Sequence, residues 1–454
     1  MNRYDQEPTE ENIRKSLIYD TFGRNHYIEK FYELLMYADG LGSIAVDGEW
    51  GTGKTFFAKQ LLTVINLYNS SVDNKKNKDI QNKLNLKDED IDKSMKAVYY
   101  DSWKNDNDTD PLISILYEMT KQLDLDLEFD PTREEKSGKL LALIGLISEK
   151  LKNKTDCFTE LIAQNKKISE IENERNIDKV ISEFVLNIQK EKCNKLIVFI
   201  DELDRCNPLY AVKLLERIKH YLINENIIFV FMINSKELQY SIQQCYGKEF
   251  DAYRYLDRFF SLRLQLPKIN YDKLYNQIHL YNYESNEIIK SVIDYYGMTV
   301  REIMHYKVLC DIIQNRFRKR SNQFVFQYDQ IEILLSQYLA PLLLGIYIND
   351  IENYYEVISG SDSKLFADIF DSLTINNEIS RGLLDSKSES YEDYKDRKKV
   401  TLKQKSVELY NDIFGPFRNF NDIKTIGIYK ISKDTKNELL EIVSLLSDIS
   451  DFID

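Results

Sequence analysis

Four residues near the start of the chain have the types and spacing of a phosphate-binding loop. Gly48, Gly53, Lys54 and Thr55 match the pattern G-x-x-x-x-G-K-[ST]. Residues without a Cβ let backbone N–H groups converge on a triphosphate, and the following helix directs its positive end at the anion. Lys54 is expected to bind the β- and γ-phosphates, and the Thr55 hydroxyl is expected to bind Mg²⁺. The predicted nucleotide-contacting residues are Gly48, Glu49, Trp50, Gly51, Thr52, Gly53, Lys54, Thr55 and Phe56.

A second group of candidate residues follows a predicted buried strand. Residues 196–200, LIVFI, form the continuous apolar run that is typical of a parallel sheet covered on both faces. Asp201 and Glu202 come next, at the strand end that lies beside a phosphate-binding loop in a doubly wound sheet. We expect Asp201 to hold the magnesium, and Glu202 to orient and deprotonate the water that attacks the γ-phosphate. Acidic residues also occur at strand ends for structural reasons alone.

Asn234 follows another apolar run, IIFVFMI at 227–233. A polar side chain at the tip of that strand is a candidate sensor of the γ-phosphate or of the attacking water. It is equally a candidate for the approach to the helix that starts near Ser235, and the sequence leaves both interpretations open.

The elements around these residues predict an α/β fold. Residues 43–46 read as a short buried strand, and 55–65 have apolar residues at helical spacing. Further strands are predicted at 96–101 and at 260–266, the latter an edge strand because apolar and polar residues alternate. The prediction is a P-loop NTPase domain with a doubly wound, mainly parallel sheet, a helical insertion and a C-terminal all-helical domain.

Five segments are predicted along the chain. Residues 1–24 form a lead-in helix, 25–128 the first half of the nucleotide-binding domain, and 129–193 the helical insertion. Residues 194–268 form the second half of that domain, and 269–454 form the helical C-terminal domain.

Composition narrows the classes of partner. The net charge of −13 argues against broad nonspecific binding to nucleic acid, which depends on neutralising phosphates. One basic cluster is a possible local contact with nucleic acid, although a solvated helix end or a protein-facing patch is favoured. This cluster consists of Arg316, Arg318, Lys319 and Arg320.

The signals for a membrane span and for a zinc site are weak. The longest plain apolar run, 140–147, is too short to span a bilayer, and the polar, acidic first residues do not resemble a signal peptide. The five cysteines lie far apart without a C-x-x-C pair, so neither a zinc site nor a disulfide framework is predicted. The expectation is a cytoplasmic chain without a transmembrane segment.

Taken together, the motifs resemble those of the KAP family of P-loop NTPases. The matching stretches are GEWGTGKT, YDSWKNDNDTDPL, IVFIDELDRCNP and YLDRFFSLRLQLP, and the resemblance covers roughly residues 20–305. It implies an ATPase of the additional-strand, catalytic-glutamate class with Mg-ATP as cofactor. It also suggests Arg258 as a charge-stabilising finger and Arg301 as a sensor arginine, with a surface salt bridge as the alternative for each.

The resemblance extends to a biological role. Bacterial members are associated with phage exclusion and animal members with membrane signalling scaffolds, and the Asn-, Ile- and Lys-rich composition looks bacterial. Unlike many members, this chain has a polar insertion where they carry membrane helices, and it has Asn234 where an acidic residue is expected. We expect a Mg²⁺-dependent ATPase that acts as a conformational switch in anti-phage defence, with further copies or effector subunits as partners. The alternatives are a DNA-associated ATPase or motor subunit, and an ATP-binding scaffold with little turnover.

Overall fold

The computed structural model describes residues 7–67, 74–85, 94–108, 110–123, 181, 185, 192–223, 225–278, 280, 286–321, 330–371, 382–383, 404–416 and 423–450. They belong to two compact units, one spanning Glu7–Leu274 and one that includes Tyr275–Asp454. Within the predicted insertion at 129–193, only 181, 185, 192 and 193 are described. The predicted helical insertion and the apolar run at 140–147 therefore lie outside the described residues.

A parallel sheet forms the centre of the first unit. Across the described residues it has five strands in the order β2-β3-β4-β1-β5, and every pairing between neighbours is parallel. The predicted α/β fold with a mainly parallel sheet is therefore confirmed. The strands are β1 Ser43–Asp47, β2 Met95–Asp101, β3 Lys195–Asp201, β4 Ile227–Ile233 and β5 Leu262–Gln265.

Helices precede, connect and follow the strands along the chain. In the described part of this unit they are α1 Glu10–Tyr19, α2 Asn25–Tyr37, α3 Lys54–Asn66, α4 Asn74–Lys83, α5 Pro111–Gln122, α6 Pro208–Arg217, α7 Ser235–Tyr246 and α8 Ala252–Asp257, and α9 Tyr271–Gln277 includes the last residues of the unit and the first of the next. A 3₁₀ turn at Leu203–Arg205 follows β3, and a π-helical turn at Ile218–Leu222 extends α6. Helix α4, between α3 and β2 in the chain, contributes a fully buried side chain, Ile80.

The central strands are apolar between their end residues because both faces of the sheet are covered. Every residue of β3 and β4 is buried. Alternate residues such as Val198 and Phe229 pack in one core with residues of α5, α6 and α7, while α3 packs against the opposite face of β2, β3 and β4. Alternation along each strand therefore supplies apolar side chains to two layers of helices.

Two side-chain amides pair with the free edge of β2. Asn66 Nδ2 donates to the carbonyl of Ala97 at 2.9 Å, and its Oδ1 accepts from the Ala97 N–H at 3.0 Å. Gln122 repeats this pattern at Tyr99, where its Oε1 accepts from the N–H at 2.9 Å and its Nε2 donates to the carbonyl at 2.7 Å. The helix ends of α3 and α5 thus satisfy the backbone groups that an edge strand leaves unpaired.

Replacing Gln122 by alanine should loosen this edge. Two hydrogen bonds to the Tyr99 backbone disappear, at a cost of about 1–3 kcal/mol in local stability. Hydrogen–deuterium exchange of the peptide that contains β2 should therefore become faster. Gln244→Ala, at an exposed position of α7, is the matched control and should leave β2 unchanged. Equal protection of β2 in both variants would contradict the pairing.

The second unit is mainly helical. Its described helices are α10 Asn286–Tyr296, α11 Val300–Ser321, α12 Gln330–Leu334, α13 Ala340–Asn349, α14 Ile351–Ser359, α15 Ser363–Asp371, α16 at 404–414 and α17 Lys433–Ser450. Gly345 lets α13 pass close to α10, because a Cβ built there would lie 2.2 Å from Val292 Cγ1. The basic cluster predicted from the sequence falls within α11, but its side chains lie outside the described residues.

The prediction of an all-helical C-terminal domain is wrong in one detail. Strands β6 Lys424–Ile426 and β7 Tyr429–Ile431 form an antiparallel hairpin. Gly427 starts the two-residue loop with a φ of +57°, and tight hairpins require such a positive φ in the loop. The alternation of β-branched and polar residues around this glycine is the physical reason for the hairpin.

One stretch of the second unit meets the length and composition of a membrane span. Ile331–Asn349, which runs through α12 and α13, has a mean hydropathy of 1.7, and no other described helix qualifies. The sequence analysis, which predicted no transmembrane segment, did not single out this stretch. Because 67% of it is buried inside the protein, it has the environment of a core helix.

Candidate functional site

The phosphate-binding loop joins β1 to α3 at the carboxyl edge of the sheet. Gly51 and Gly53 have φ values of +78° and +87°, a left-handed conformation in which other residues are strained. A Cβ at Gly53 would also lie 3.2 Å from an Arg24 guanidinium nitrogen. The backbone path of the loop therefore favours glycine at positions 51 and 53.

Lys54 begins α3 and lies over the loop. Its Nζ donates to the Gly48 carbonyl at 2.7 Å and to the Glu49 carbonyl at 3.2 Å. Burial lowers the pKa of Lys54, and the negative charges of Asp204, Asp201 and Glu202 partly oppose that change. The ammonium is thus a buried cation that faces three carboxylates and has no anion in direct contact within the described residues.

Not every predicted loop residue presents its side chain to a ligand. The Phe56 side chain is buried, with its ring 4.9 Å from that of Phe22 in an edge-to-face contact. Thr52 Oγ1 donates to the Glu49 carbonyl at 2.6 Å. Trp50 is 45% exposed, and its indole N–H donates to Asp204 Oδ2 at 2.5 Å. For Phe56, only the backbone is available to contact a nucleotide.

Asp201 is fully buried at the end of β3. Its Oδ2 accepts from the Tyr99 hydroxyl at 2.8 Å, and its Oδ1 accepts from the Glu202 N–H at 2.9 Å. Burial raises the pKa of Asp201, while the hydrogen bonds from Thr55, Tyr99 and Glu202 act in the opposite direction. The carboxylate is therefore held in a fixed orientation, without a fully compensating cation.

Glu202 lies next to the loop. Its Oε1 accepts from Thr55 Oγ1 at 3.4 Å, and its Oε2 is 2.5 Å from Arg205 Nε. The backbone of Glu202 has a φ of +58°, a left-handed conformation that is strained for a residue with a side chain. Burial and the neighbouring charge of Asp201 raise its pKa. The structure thus brings Lys54, Thr55, Asp201 and Glu202 together at one edge of the sheet.

Comparison with known families agrees with this geometry. The model of the KAP family P-loop domain matches residues 24–327, more than half of the chain. The chain belongs to the KAP family of P-loop NTPases. A search of the curated proteins finds no match to it. The predicted family is confirmed, and family membership indicates a nucleotide-binding domain.

The strand order of this KAP domain includes an additional strand between the two halves of the site. β4 lies between β1, which leads into the loop, and β3, which ends at Asp201. Asn234 follows β4 and is therefore between the loop and the acidic pair. Its Oδ1 accepts from the Glu237 N–H at 3.4 Å, so the side chain caps α7. A sensor role for Asn234 stays a prediction.

Of the two arginines that the family resemblance suggests, Arg258 belongs to the first unit. Arg258 precedes β5, and β5 runs parallel to β1 with Leu262 opposite Ile44. Arg258 therefore lies at the amino edge of the sheet, opposite the edge that bears the loop. The role of Arg258 as a charge-stabilising finger stays a prediction.

Arg301 belongs to the second unit, where it is exposed in the first turn of α11. The neighbouring Thr299 and Glu302 form a capping box: the Thr299 N–H donates to Glu302 Oε2 at 2.7 Å, and the Glu302 N–H donates to Thr299 Oγ1 at 3.5 Å. This helix start accounts for the sequence TVRE without a sensor. The sensor role of Arg301 also stays a prediction.

The residues at the carboxyl edge fit Mg²⁺ bound together with a nucleotide. A hydroxyl on Thr55 and a carboxylate on Asp201 are hard oxygen ligands of the kind that Mg²⁺ prefers. Within the described residues, no three His, Cys, Asp or Glu side chains are grouped to hold a metal ion. A magnesium ion here would therefore need phosphate oxygens and water to complete its coordination.

Four residues of the KAP domain that the sequence analysis did not select also contact this site. Tyr99 holds Asp201, Asp204 faces Lys54, Arg205 holds Glu202, and Arg24 donates to the Thr52 carbonyl at 3.1 Å. Burial lowers the pKa of Arg24 to about 10. Asp204 Oδ1 is buried and has no hydrogen-bond partner among the described residues. The dense run of charges in DELDR was the available signal for Asp204 and Arg205.

Proposed function

We propose that this KAP NTPase hydrolyses ATP in a Mg²⁺-dependent reaction. The observation that supports this proposal is the junction of the two halves of the site, where Thr55 Oγ1 lies 3.4 Å from Glu202 Oε1. Thr55, expected to contact magnesium, and Glu202, expected to activate water, are thus neighbours, although they follow different strands of the sheet. Hydrolysis of a terminal phosphate requires this arrangement.

The loop would bind and orient the phosphates. Backbone N–H groups between Gly48 and Thr55 and the start of α3 supply partial positive charge, and Lys54 supplies a full charge. Asp201, Glu202 and Asp204 would repel a triphosphate, whereas Lys54, a buried cation at the loop, would attract it. The resulting attraction is strong in a site from which water is largely excluded.

Glu202 would act as the general base. Its carboxylate would orient a water molecule toward the γ-phosphate and accept a proton from it. Asp201, which is fixed by Tyr99 and by the Glu202 N–H, would contribute the carboxylate ligand of the magnesium site beside Thr55. Bound Mg²⁺ would neutralise charge on the phosphate oxygens.

Tyr99→Phe tests the metal assignment. The change removes the hydroxyl that donates to Asp201 Oδ2 and retains the ring, so Asp201 is less firmly oriented. Loss of such a supporting hydrogen bond typically costs about tenfold or more in metal affinity. The Mg²⁺ concentration for half-maximal hydrolysis should rise by about that factor. Tyr117→Phe, at an exposed position of α5, should have no effect on it.

Phosphate release by the purified full chain tests the proposed function. We expect slow hydrolysis of ATP that is abolished by chelation of Mg²⁺ and that is slower with GTP. Absence of phosphate release from both nucleotides, in protein that binds ATP, would contradict the proposal and would favour a nucleotide-binding scaffold. A strong preference for GTP would contradict the ATPase assignment.

A wider role is also proposed. Nucleotide turnover would act as a switch that changes how the chain engages other copies or effector subunits, and the family resemblance suggests anti-phage defence as its setting. Function in the cytoplasm belongs to the same proposal. Loss of phage resistance in host cells carrying Lys54→Ala, compared with cells carrying the wild-type chain, would support the defence role.

A further inference from the structure

Both tryptophans of the chain flank one guanidinium group beside the proposed catalytic glutamate. Arg205 Cζ is 5.9 Å from the ring centroid of Trp50 and 5.6 Å from that of Trp103. Trp50 belongs to the phosphate-binding loop, Trp103 to the turn after β2, and Arg205 to the 3₁₀ turn after β3. Three separate connections therefore meet at this guanidinium. Each aromatic contact attracts the cation and restricts its position.

The same guanidinium holds Glu202. Arg205 Nε is 2.5 Å from Glu202 Oε2, and the two side chains are 24% and 20% exposed. A pair this sheltered is screened less by water than a surface ion pair. The second carboxylate oxygen of Glu202 faces Thr55 Oγ1. The orientation of the carboxylate is therefore set on one side by Arg205 and on the other by the loop residue.

The backbone at Glu202 needs such restraint. Its left-handed φ of +58° is unfavourable for a residue with a side chain and persists only where the surroundings fix it. The Glu202 N–H donates to Asp201 Oδ1 at 2.9 Å, and the Arg205 N–H donates to the Glu202 carbonyl at 3.2 Å. Backbone hydrogen bonds fix the main chain, which leaves the carboxylate to be fixed by its side-chain partners.

Asp204 connects this cluster to the loop a second time. Its Oδ2 accepts from the Trp50 indole N–H at 2.5 Å, and the side chain is buried. Trp50 is thus held by a hydrogen bond as well as by its contact with Arg205. The tryptophan therefore has a defined position from which to restrain the guanidinium.

We propose that Arg205, held between Trp50 and Trp103, is a positioning residue that keeps the Glu202 carboxylate oriented toward the attacking water. Arg205 contacts neither the nucleotide nor the water, and its effect on the reaction passes through Glu202. The inference rests on the proposed function, because it assigns a role within hydrolysis.

Kinetics of Arg205 variants test the positioning role. In Arg205→Ala, kcat should fall about 10- to 100-fold, since small misplacements of a reacting group have effects of this size, while KM for ATP should change less than about threefold. Arg205→Lys retains the charge without the planar guanidinium and should give an intermediate kcat. The matched control is Arg254→Ala, which removes an exposed arginine that also pairs with a carboxylate three residues away.

Fluorescence supplies a measurement that does not depend on turnover. Trp103→Phe leaves Trp50 as the sole tryptophan, and phenylalanine retains an aromatic face for Arg205. Adding Arg205→Ala to this background should change the emission of Trp50 and increase its quenching by acrylamide, whereas adding Arg254→Ala should change neither. If Arg205→Ala lowers the stability of the protein, the same fluorescence measurement can be made with Arg205→Lys in its place.

The outcomes separate this inference from the proposed function. A wild-type kcat in Arg205→Ala, an increased kcat, or an equal loss in kcat and nucleotide affinity would overturn the positioning role. Unchanged Trp50 fluorescence on removal of Arg205 would overturn the stacked arrangement. If the wild-type chain releases no phosphate from ATP, the proposed function itself fails, and the fluorescence experiment still reports on the cluster.

Discussion

Lys54→Ala should lose at least about 100-fold in the rate of ATP hydrolysis, because it removes the one full charge that the loop offers to the phosphates. In the structure Lys54 Nζ is buried and bonded to two loop carbonyls, so the same change should also weaken nucleotide binding. Phosphate release and titration with a fluorescent ATP analogue would measure the two effects. Alanine is a good helix former, so α3 should still begin at this position.

The control for this variant is Lys121→Ala. The Lys121 side chain is 60% exposed and forms a surface ion pair with Glu118 at 3.8 Å. It should match the wild-type chain in both assays. Hydrolysis by Lys54→Ala within a few-fold of wild type would show that the loop does not bind the reacting phosphates.

Glu202→Gln should bind ATP and fail to hydrolyse it, with kcat lower by about 10²- to 10⁴-fold. Glutamine has nearly the same shape and still accepts a hydrogen bond from Arg205, but it cannot take a proton from water. The change also removes a charge that burial and Asp201 disfavour, so it should not lower the melting temperature. Single-turnover phosphate release and equilibrium binding of ATP would separate the two effects.

Glu33→Gln makes the same chemical change at an exposed position of α2 and should leave kcat unchanged. Hydrolysis by Glu202→Gln at near the wild-type rate would assign the activation of water to another group. Loss of ATP binding in Glu202→Gln would also contradict the role of general base, because the group that deprotonates the attacking water is not needed for binding the nucleotide.

The parts of the fold and of the site that depend on local sequence patterns could be predicted from the sequence. The P-loop needs four residue types at fixed spacing, and β3 and β4 are continuous apolar runs, so both could be recognised without coordinates. Asp201 and Glu202 were identified because a strand end places them beside the loop in any parallel sheet of this kind. These inferences rely on geometry that is common to the fold.

Other parts of the site depend on contacts between distant segments. Tyr99 and Trp103 are aromatic residues in or after a strand, and only the pairing of β2 with β3 shows that they reach Asp201 and Arg205. Likewise, Arg258 lies at the amino edge of the sheet because β5 runs parallel to β1. No local sequence pattern indicates the direction in which a strand joins the sheet. The hairpin of β6 and β7 was not predicted because each strand has three residues. An alternating pattern this short cannot be distinguished from the helical pattern of the neighbouring segments.

The amides of Asn66 and Gln122 have a consequence for self-association. A bare outer strand is a template on which a second molecule can add its own strand, and such growth leads to aggregates or fibres. At β2 two side chains already occupy the backbone groups of Ala97 and Tyr99 that an incoming strand would need. Copies of this chain that assemble are thus expected to do so through side-chain surfaces and not by extending the sheet past β2.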